Sequence, residues 1–244
     1  MTMKLSCVGC GPGNPELLTI KAIRLIKNAE VVFAPTSKEG KRSIALSIVK
    51  KYVNSSTKTV NLVFPMLKDK EALKDYWKGN TEKIANEVRA GKRVIYLTVG
   101  DPSIYSTWIY IYRELRRNHK DIQIDIIPGI TSIFAFAAEA KIALVEGDET
   151  LAIVPACYDM DRIRRTSTVC DTVIFLKDGR HFDDVIDMLS DAGFVEDSVV
   201  AIAQDVAIEG EIMKVSRLGD LRGKRGSTEK YFSIMVAKKK SDRE

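Results

Sequence analysis

Five short β-rich apolar segments alternate with helix-patterned segments over the first 140 residues, and that alternation is what most narrows the fold. The strand candidates are Leu5–Val8, Val31–Ala34, Val60–Val63, Val94–Val99 and Ile122–Ile127. Helix patterns fill the gaps. Thr19 suits the cap of a helix whose buried face would carry Ile20, Ile23 and Ile26. Ile44, Ile48 and Val49 mark a second helix, Lys68–Ala90 a long charged one with Gly79 as its weak point, and Ser106–Asn118 and Ile130–Ala140 two more. Strands separated by helices give a parallel sheet with right-handed crossovers. Pro35 is expected to close the second strand.

The polar stretch Glu146-Gly147-Asp148-Glu149 reads as a domain boundary, giving domains 1–145 and 146–244. Beyond it, strands are expected at Leu151–Val154, Val173–Leu176 and Val199–Ala203, with a helix at Phe182–Asp191 ended by Gly193. Gly210–Val215 and Tyr231–Ala237 look like strands with no long helix between them, so the second sheet is mixed. The expected fold class is therefore α/β, with two α/β domains: a mostly parallel N-terminal sheet and a mixed C-terminal one.

Composition bounds the function classes. Lys plus Arg number 38 and Asp plus Glu 33, a net charge of +5, far from the concentrated basic patch of a nucleic-acid binder. No apolar run approaches the ~18 residues of a membrane span, and the N-terminus lacks a signal-peptide layout. Four cysteines are too sparse for a disulfide framework, which fits a reducing, cytoplasmic compartment. Neither nucleic acid nor membrane is expected as a partner.

Three of the first five strands run straight into Pro/Gly turns, and these carry the chemistry. Gly9-Cys10-Gly11-Pro12-Gly13-Asn14-Pro15 begins like a dinucleotide fingerprint, but Pro12 and Pro15 remove backbone donors and Asn14 stands where the third Gly is needed. A loop this stiff suits shape contact with a ligand better than a phosphate cradle. Gly100-Asp101-Pro102-Ser103 sits at a strand end where open α/β sheets bind ligands; Asp101 either accepts hydrogen bonds there or caps the next helix. Pro128-Gly129-Ile130-Thr131-Ser132 is a third such turn, with hydroxyls that serve a ligand or a helix cap. Three turns at one sheet edge outline a pocket.

Other candidates fall short. Cys7 and Cys10 form C-x-x-C without a second pair for zinc. His119 reads as solvated, and His181 as a helix-start surface residue that could also reach a ligand. No nucleophile elbow and no metal site emerge, so no protein-bound metal is expected. A reaction whose power resides in its bound partners fits that pattern, with methyl transfer from a sulfonium donor as the example.

Taken together, Val8 to Thr19 with Ala29-Glu30-Val31-Val32, Gly100 to Thr107, and Pro128 to Ser132 resemble the three signatures of the tetrapyrrole methylases. The likeness runs from about Leu5 to Ala237. Tyr105-Ser106-Thr107, Val145 to Glu149 and Tyr231-Phe232-Ser233 are similar to the C20-methyltransferase branch, which acts on precorrin-2 or cobalt-factor II in cobalamin synthesis. Asn14 departs from the family's usual Asp, and Lys177 from a donor-contacting Met of sirohaem-branch relatives.

The resemblance implies an inter-domain cleft in which S-adenosylmethionine meets a polycarboxylate tetrapyrrole, usually in a homodimer. It implies a donor pocket of Pro12, Gly100, Asp101, Ser103, Thr131 and Ser132, joined by Leu176, Lys177 and Ala203. Asp101 and Tyr105 are the candidates for a catalytic role. Arg162, Arg164 and Arg165, or Arg222, Lys224 and Arg225, could receive the substrate carboxylates or simply be solvated. Methylation at another carbon, as in the sirohaem or other corrin branches, is the nearest alternative; a non-catalytic tetrapyrrole-binding protein and a dehydrogenase are the others.

Overall fold

The computed structural model describes residues 3–65, 67, 69–155, 159–176, 182–204, 206–207, 210–222 and 234–240. The chain divides into two compact units, Met1–Ser132 and Ile133–Glu244. The polar stretch 146–149 lies in the second, between its first helix and its first strand.

The first unit alternates as its sequence demands: β1 (Lys4–Gly9), α1 (Ile20–Asn28), β2 (Val31–Thr36), α2 (Ile44–Val49), β3 (Lys58–Val63), α3 (Lys70–Arg89), β4 (Val94–Thr98), α4 (Trp108–Asn118) and β5 (Gln123–Ile127). Its sheet has the order β3-β2-β4-β1-β5, and every pairing is parallel. Every residue of β4, in the middle, is buried, whereas β3 and β5 at the edges carry exposed polar positions. A continuous apolar run is what a strand covered on both faces requires. One face packs Leu5, Cys7, Phe33 and Tyr96 against Ile84 and Trp108; the other packs Val8, Ala34, Ile95 and Leu97 against Ala22 and Ile26.

Thr19 caps α1 as expected, its hydroxyl accepting from the Ala22 amide at 3.1 Å. The buried stripe, however, runs through Ala22 and Ile26, and Ile20 is 87% exposed. Two helical positions turn the chain through about 200°, so Ile20 lies across the helix from Ala22. Pro35 does not close β2 but lies within it, opposite Leu62. Pairing of β2 with β4 ends at Phe33, so a missing amide two residues later breaks no bond on that side. Gly79 sits inside α3 without ending it. His119 is buried rather than solvated: it follows the last residue of α4, with Nδ1 3.0 Å from Arg89 and Nε2 3.4 Å from Glu82, both on α3.

The helix α5 (Ser132–Glu139) begins at the border of the units. The second unit continues with β6 (Leu151–Pro155), α6 (Met160–Val169), β7 (Thr172–Leu176), α7 (Phe182–Asp191), β8 (Val199–Gln204), β9 (Ile212–Arg217), α8 (Leu218–Leu221) and β10 (Ile234–Lys238). Strand order is β6-β7-β10-β8-β9; only β6 and β7 run parallel, which makes the sheet mixed. Both α6 and α8 lie where no helix was expected, and residues 231–233 of the expected last strand lie outside the described residues.

Candidate functional site

The strand order sets β4, β1 and β5 side by side and parallel, so the turns that leave them meet at one edge. The first two turns are tied by an isolated antiparallel bridge. Gly100 N–H donates to the Gly11 carbonyl at 2.8 Å, and Gly11 N–H returns a longer bond to the Gly100 carbonyl at 3.3 Å. Gly100 has φ +67°, a left-handed backbone that a side chain would strain. The third turn is packed still more closely. A Cβ on Gly129 would overlap the Gly100 carbonyl oxygen and stand 2.9 Å from the Gly9 carbonyl carbon. That glycine lets one backbone rest on another.

Asp101 completes the lock. One carboxylate oxygen accepts from the Ser103 amide at 2.8 Å and from the Ser103 hydroxyl; the other accepts from the Gly129 amide at 2.9 Å. The residue is therefore not a cap of α4, which starts seven residues later, but a tie between the second and third turns. Partial burial works to raise its pKa, yet the Ser103 hydroxyl and the Ser103 and Gly129 amides outweigh it and hold the carboxyl below the ordinary aspartate value. An ionised group with both oxygens engaged is a weak proton acceptor and a good neighbour for a cation.

Two hydroxyl contacts that the sequence did not suggest hold the next stretch. Thr98 Oγ1 and Ser106 Oγ lie 2.8 Å apart, and the buried Tyr96 hydroxyl lies 2.9 Å from Thr107 Oγ1. Just before Ser106, Tyr105 adopts φ +47°, rare for a large side chain, and is 52% exposed. Hydroxyls on alternate residues of β4 were the available signal: Tyr96 and Thr98 come just before a turn that carries Ser106 and Thr107.

Of the expected donor-pocket residues, Pro12, Gly100, Asp101, Ser103 and Thr131 belong to these turns and Ser132 opens α5; Pro12 and Thr131 are buried and Ser103 is exposed. Asn14 accepts from the Glu16 amide at 2.9 Å, a bond that an Asp carboxylate would make equally well. Cys7 and Cys10 are buried beneath, and burial raises both thiols, Cys10 to about 12.

In the second unit, Leu176 of β7 and Ala203 of β8 both stand opposite Ile234 of β10, so they flank one residue in a single row across the sheet. Lys177, Lys224, Arg225 and His181 lie outside the described residues. Arg162, Arg164 and Arg165 lie exposed on α6, Arg164 3.5 Å from Asp191; Arg222 ends α8, 3.7 Å from Glu196.

No side chain at the turns has the activation of a nucleophile: the thiols are buried and raised by that burial, and the carboxylate is fully engaged. What the edge offers is a stiff, glycine-approached surface with one fixed negative charge, suited to hold a cationic ligand in a set orientation.

Comparison with known proteins shows the family and the fold. Residues 4–222 match the model of the Tetrapyrrole (Corrin/Porphyrin) Methylases. A Methanocaldococcus jannaschii protein named "probable cobalt-precorrin-2 C(20)-methyltransferase" is 34% identical over 98% of this chain and 97% of its own length. The X-ray structure of cobalt precorrin-4 methyltransferase CbiF superposes with a TM-score of 0.74 at 22% identity, covering 98% of this chain and 95% of that one. Uroporphyrin-III C-methyltransferase from Thermus thermophilus, complexed with S-adenyl homocysteine, superposes at 0.67 and 19% identity, covering 96% and 97%. With its three turns locked at one sheet edge and its match to the family model along most of its length, the chain belongs to the tetrapyrrole methylases.

Proposed function

We propose that this chain transfers a methyl group from S-adenosylmethionine to C20 of cobalt-factor II or precorrin-2 during corrin-ring synthesis, the step that leads to cobalamin. The observation that carries the reading is the lock of three turns through Gly11, Gly100, Asp101 and Gly129, which leaves one rigid, anion-bearing edge. The name of the Methanocaldococcus jannaschii relative, similar along nearly its whole length, supports the choice of carbon.

The donor supplies a methyl on a positively charged sulfur, which an electron-rich ring carbon can displace without an acid catalyst. The chain's part is to bind, orient and keep water away. Pro12, Gly100, Ser103, Thr131 and Ser132 form the walls against the donor, and the ionised Asp101 both fixes the turns and favours a cation beside them. Leu176, Lys177 and Ala203 add the donor contacts of the second unit. Tyr105, held in a left-handed conformation by its pinned neighbours, is the candidate for contact with the reacting ring, and Arg162, Arg165, Arg222 and Arg225 for its carboxylates. The working form in this reading is a cytoplasmic homodimer whose domains divide at 145/146, with no nucleic-acid or membrane partner; among the described residues no helix is long and apolar enough to cross a membrane.

Incubation with the donor and, separately, cobalt-factor II, precorrin-2 and uroporphyrinogen III tests this by product mass. One added methyl on either of the first two is expected. Methylation of uroporphyrinogen III alone would move the chain to the sirohaem branch. Donor binding without any product would leave a binding protein.

A further inference from the structure

Beside the locked turns, the same sheet edge carries a cavity of about 460 Å³ over the ends of β2 and β3, walled by α3. We infer that this cavity receives one carboxylate arm of the tetrapyrrole, with Lys83, Tyr76 and Asn61 as its polar contacts. The inference rests on the methyl-transfer reading and extends it to the acceptor side.

The walls and the floor are built from different residues. Asn80 is buried and spent on structure, its amide donating to the Val63 carbonyl at 2.9 Å. Thr36, also buried, sits within 3.1 Å of the Lys38 and Lys41 carbonyls and so folds loop 37–42 over the opening. Lys83, Tyr76 and Asn61 differ: among the described residues none of their side chains makes a hydrogen bond or ion pair. An ammonium, a phenol and an amide facing one polar space are donors in search of an acceptor, and a carboxylate accepts from all three.

Charge limits the occupant. Of the residues that line the cavity, Lys83 is the cation and Glu39 the anion; Lys38, Lys41 and Arg42 belong to loop 37–42 but not to the lining. Glu39 lines the cavity, and its charge opposes entry of a second carboxylate, so one arm rather than two is accommodated.

Position fits an acceptor. Strand order places β2 next to β4, so the cavity lies roughly two strand spacings, ~10 Å, from the turns after β4 and β1. An arm anchored there leaves the ring that bears it beside the donor edge. A donor-only pocket would not need a hollow lined by Lys83, Tyr76 and Asn61 at that distance.

The test uses the full chain, with cobalt-factor II as the probe, titrated by its visible absorbance and assayed for methyl gain. Lys83 is exposed on α3, so Lys83→Ala and Lys83→Glu should fold normally, checked by circular dichroism. Loss of one charge-assisted hydrogen bond predicts about tenfold weaker acceptor binding in Lys83→Ala, and more in Lys83→Glu, with donor affinity unchanged. Asn61→Asp, placing a like charge in the cavity, should weaken the acceptor in the same way. Wild-type acceptor affinity in all three variants overturns the cavity while leaving methyl transfer intact. A wild-type chain that binds the donor but never methylates cobalt-factor II or precorrin-2 overturns the reading beneath it, and the cavity assignment with it.

Discussion

The closeness of the turns can be tested at Gly9, where three backbone segments meet. A Cβ at this position would lie 2.7 Å from Gly129 N, 2.8 Å from Gly100 O and 2.9 Å from Gly129 Cα. Carbon approaches a carbonyl oxygen comfortably at about 3.3 Å, so Gly9→Ala must push the second and third turns apart by about 0.5 Å. None of the three atoms belongs to a side chain that could swing away. The overpacking should cost about 1–3 kcal/mol, which lowers Tm by roughly 2–12 °C for a chain of this size. Function should suffer more than stability. Misplacement of 1 Å can cost a reaction about 100-fold, so half that distance predicts about a tenfold loss in kcat/KM and a similar loss of donor affinity. Thermal unfolding, donor titration by calorimetry and methyl-transfer kinetics on the same preparation separate the two effects. A folded Gly9→Ala protein with wild-type donor affinity and kcat/KM would refute the idea that contact between these turns shapes the donor site.

Other perturbations probe single residues. Asp101→Asn keeps the shape but removes the charge; because the folded carboxyl has a depressed pKa, wild type should hold its advantage above the unfolded value of about 3.9 and lose it as pH falls through the folded one. Urea midpoints of both proteins at neutral and strongly acidic pH check this, and a gap that persists in acid contradicts it. Gly79→Ala, in the exposed middle of α3 with nothing within 4 Å of the new methyl, should stabilise by about 0.5–1 kcal/mol, read as a raised urea midpoint. Burial raises the thiols of Cys7 and Cys10 and hides them from solvent, so an alkylating reagent at pH 8 should leave both unmodified in the native protein by peptide mass mapping; labelling of either without unfolding would contradict their burial.

The parallel sheet of the first unit was legible because its strands are short β-rich runs separated by helix-patterned segments. The mixed second sheet was legible in kind but not in order: β10 inserts between β7 and β8, a long-range pairing that no local pattern announces. Helix α6 escaped because its surface is largely polar, with only Ile163 and Ser167 buried, although Asp159 does cap it by accepting from the Arg162 amide at 2.9 Å. Ile20 misled because an apolar residue at a helix start counts toward periodicity wherever it faces.

The site divides in the same way. That three Pro/Gly turns gather was deducible from their common place after parallel strands. The bond from the Gly129 amide to Asp101 was not, since it links residues 28 apart and exists only because β1 lies between β4 and β5. Asp101 read locally as a cap for that reason. The carboxylate contacts expected from clustered arginines have a different limit: exposed guanidiniums on α6 carry no local signal that separates a ligand contact from a solvated face.

The most direct measurement of the proposed activity is carbon NMR of the product formed from cobalt-factor II with a donor carrying a ¹³C-labelled methyl. A single new methyl resonance coupled to C20, with its label derived wholly from the donor, is the predicted result. A label at any other ring carbon, or an unlabelled ring after donor and acceptor have both bound, would contradict it.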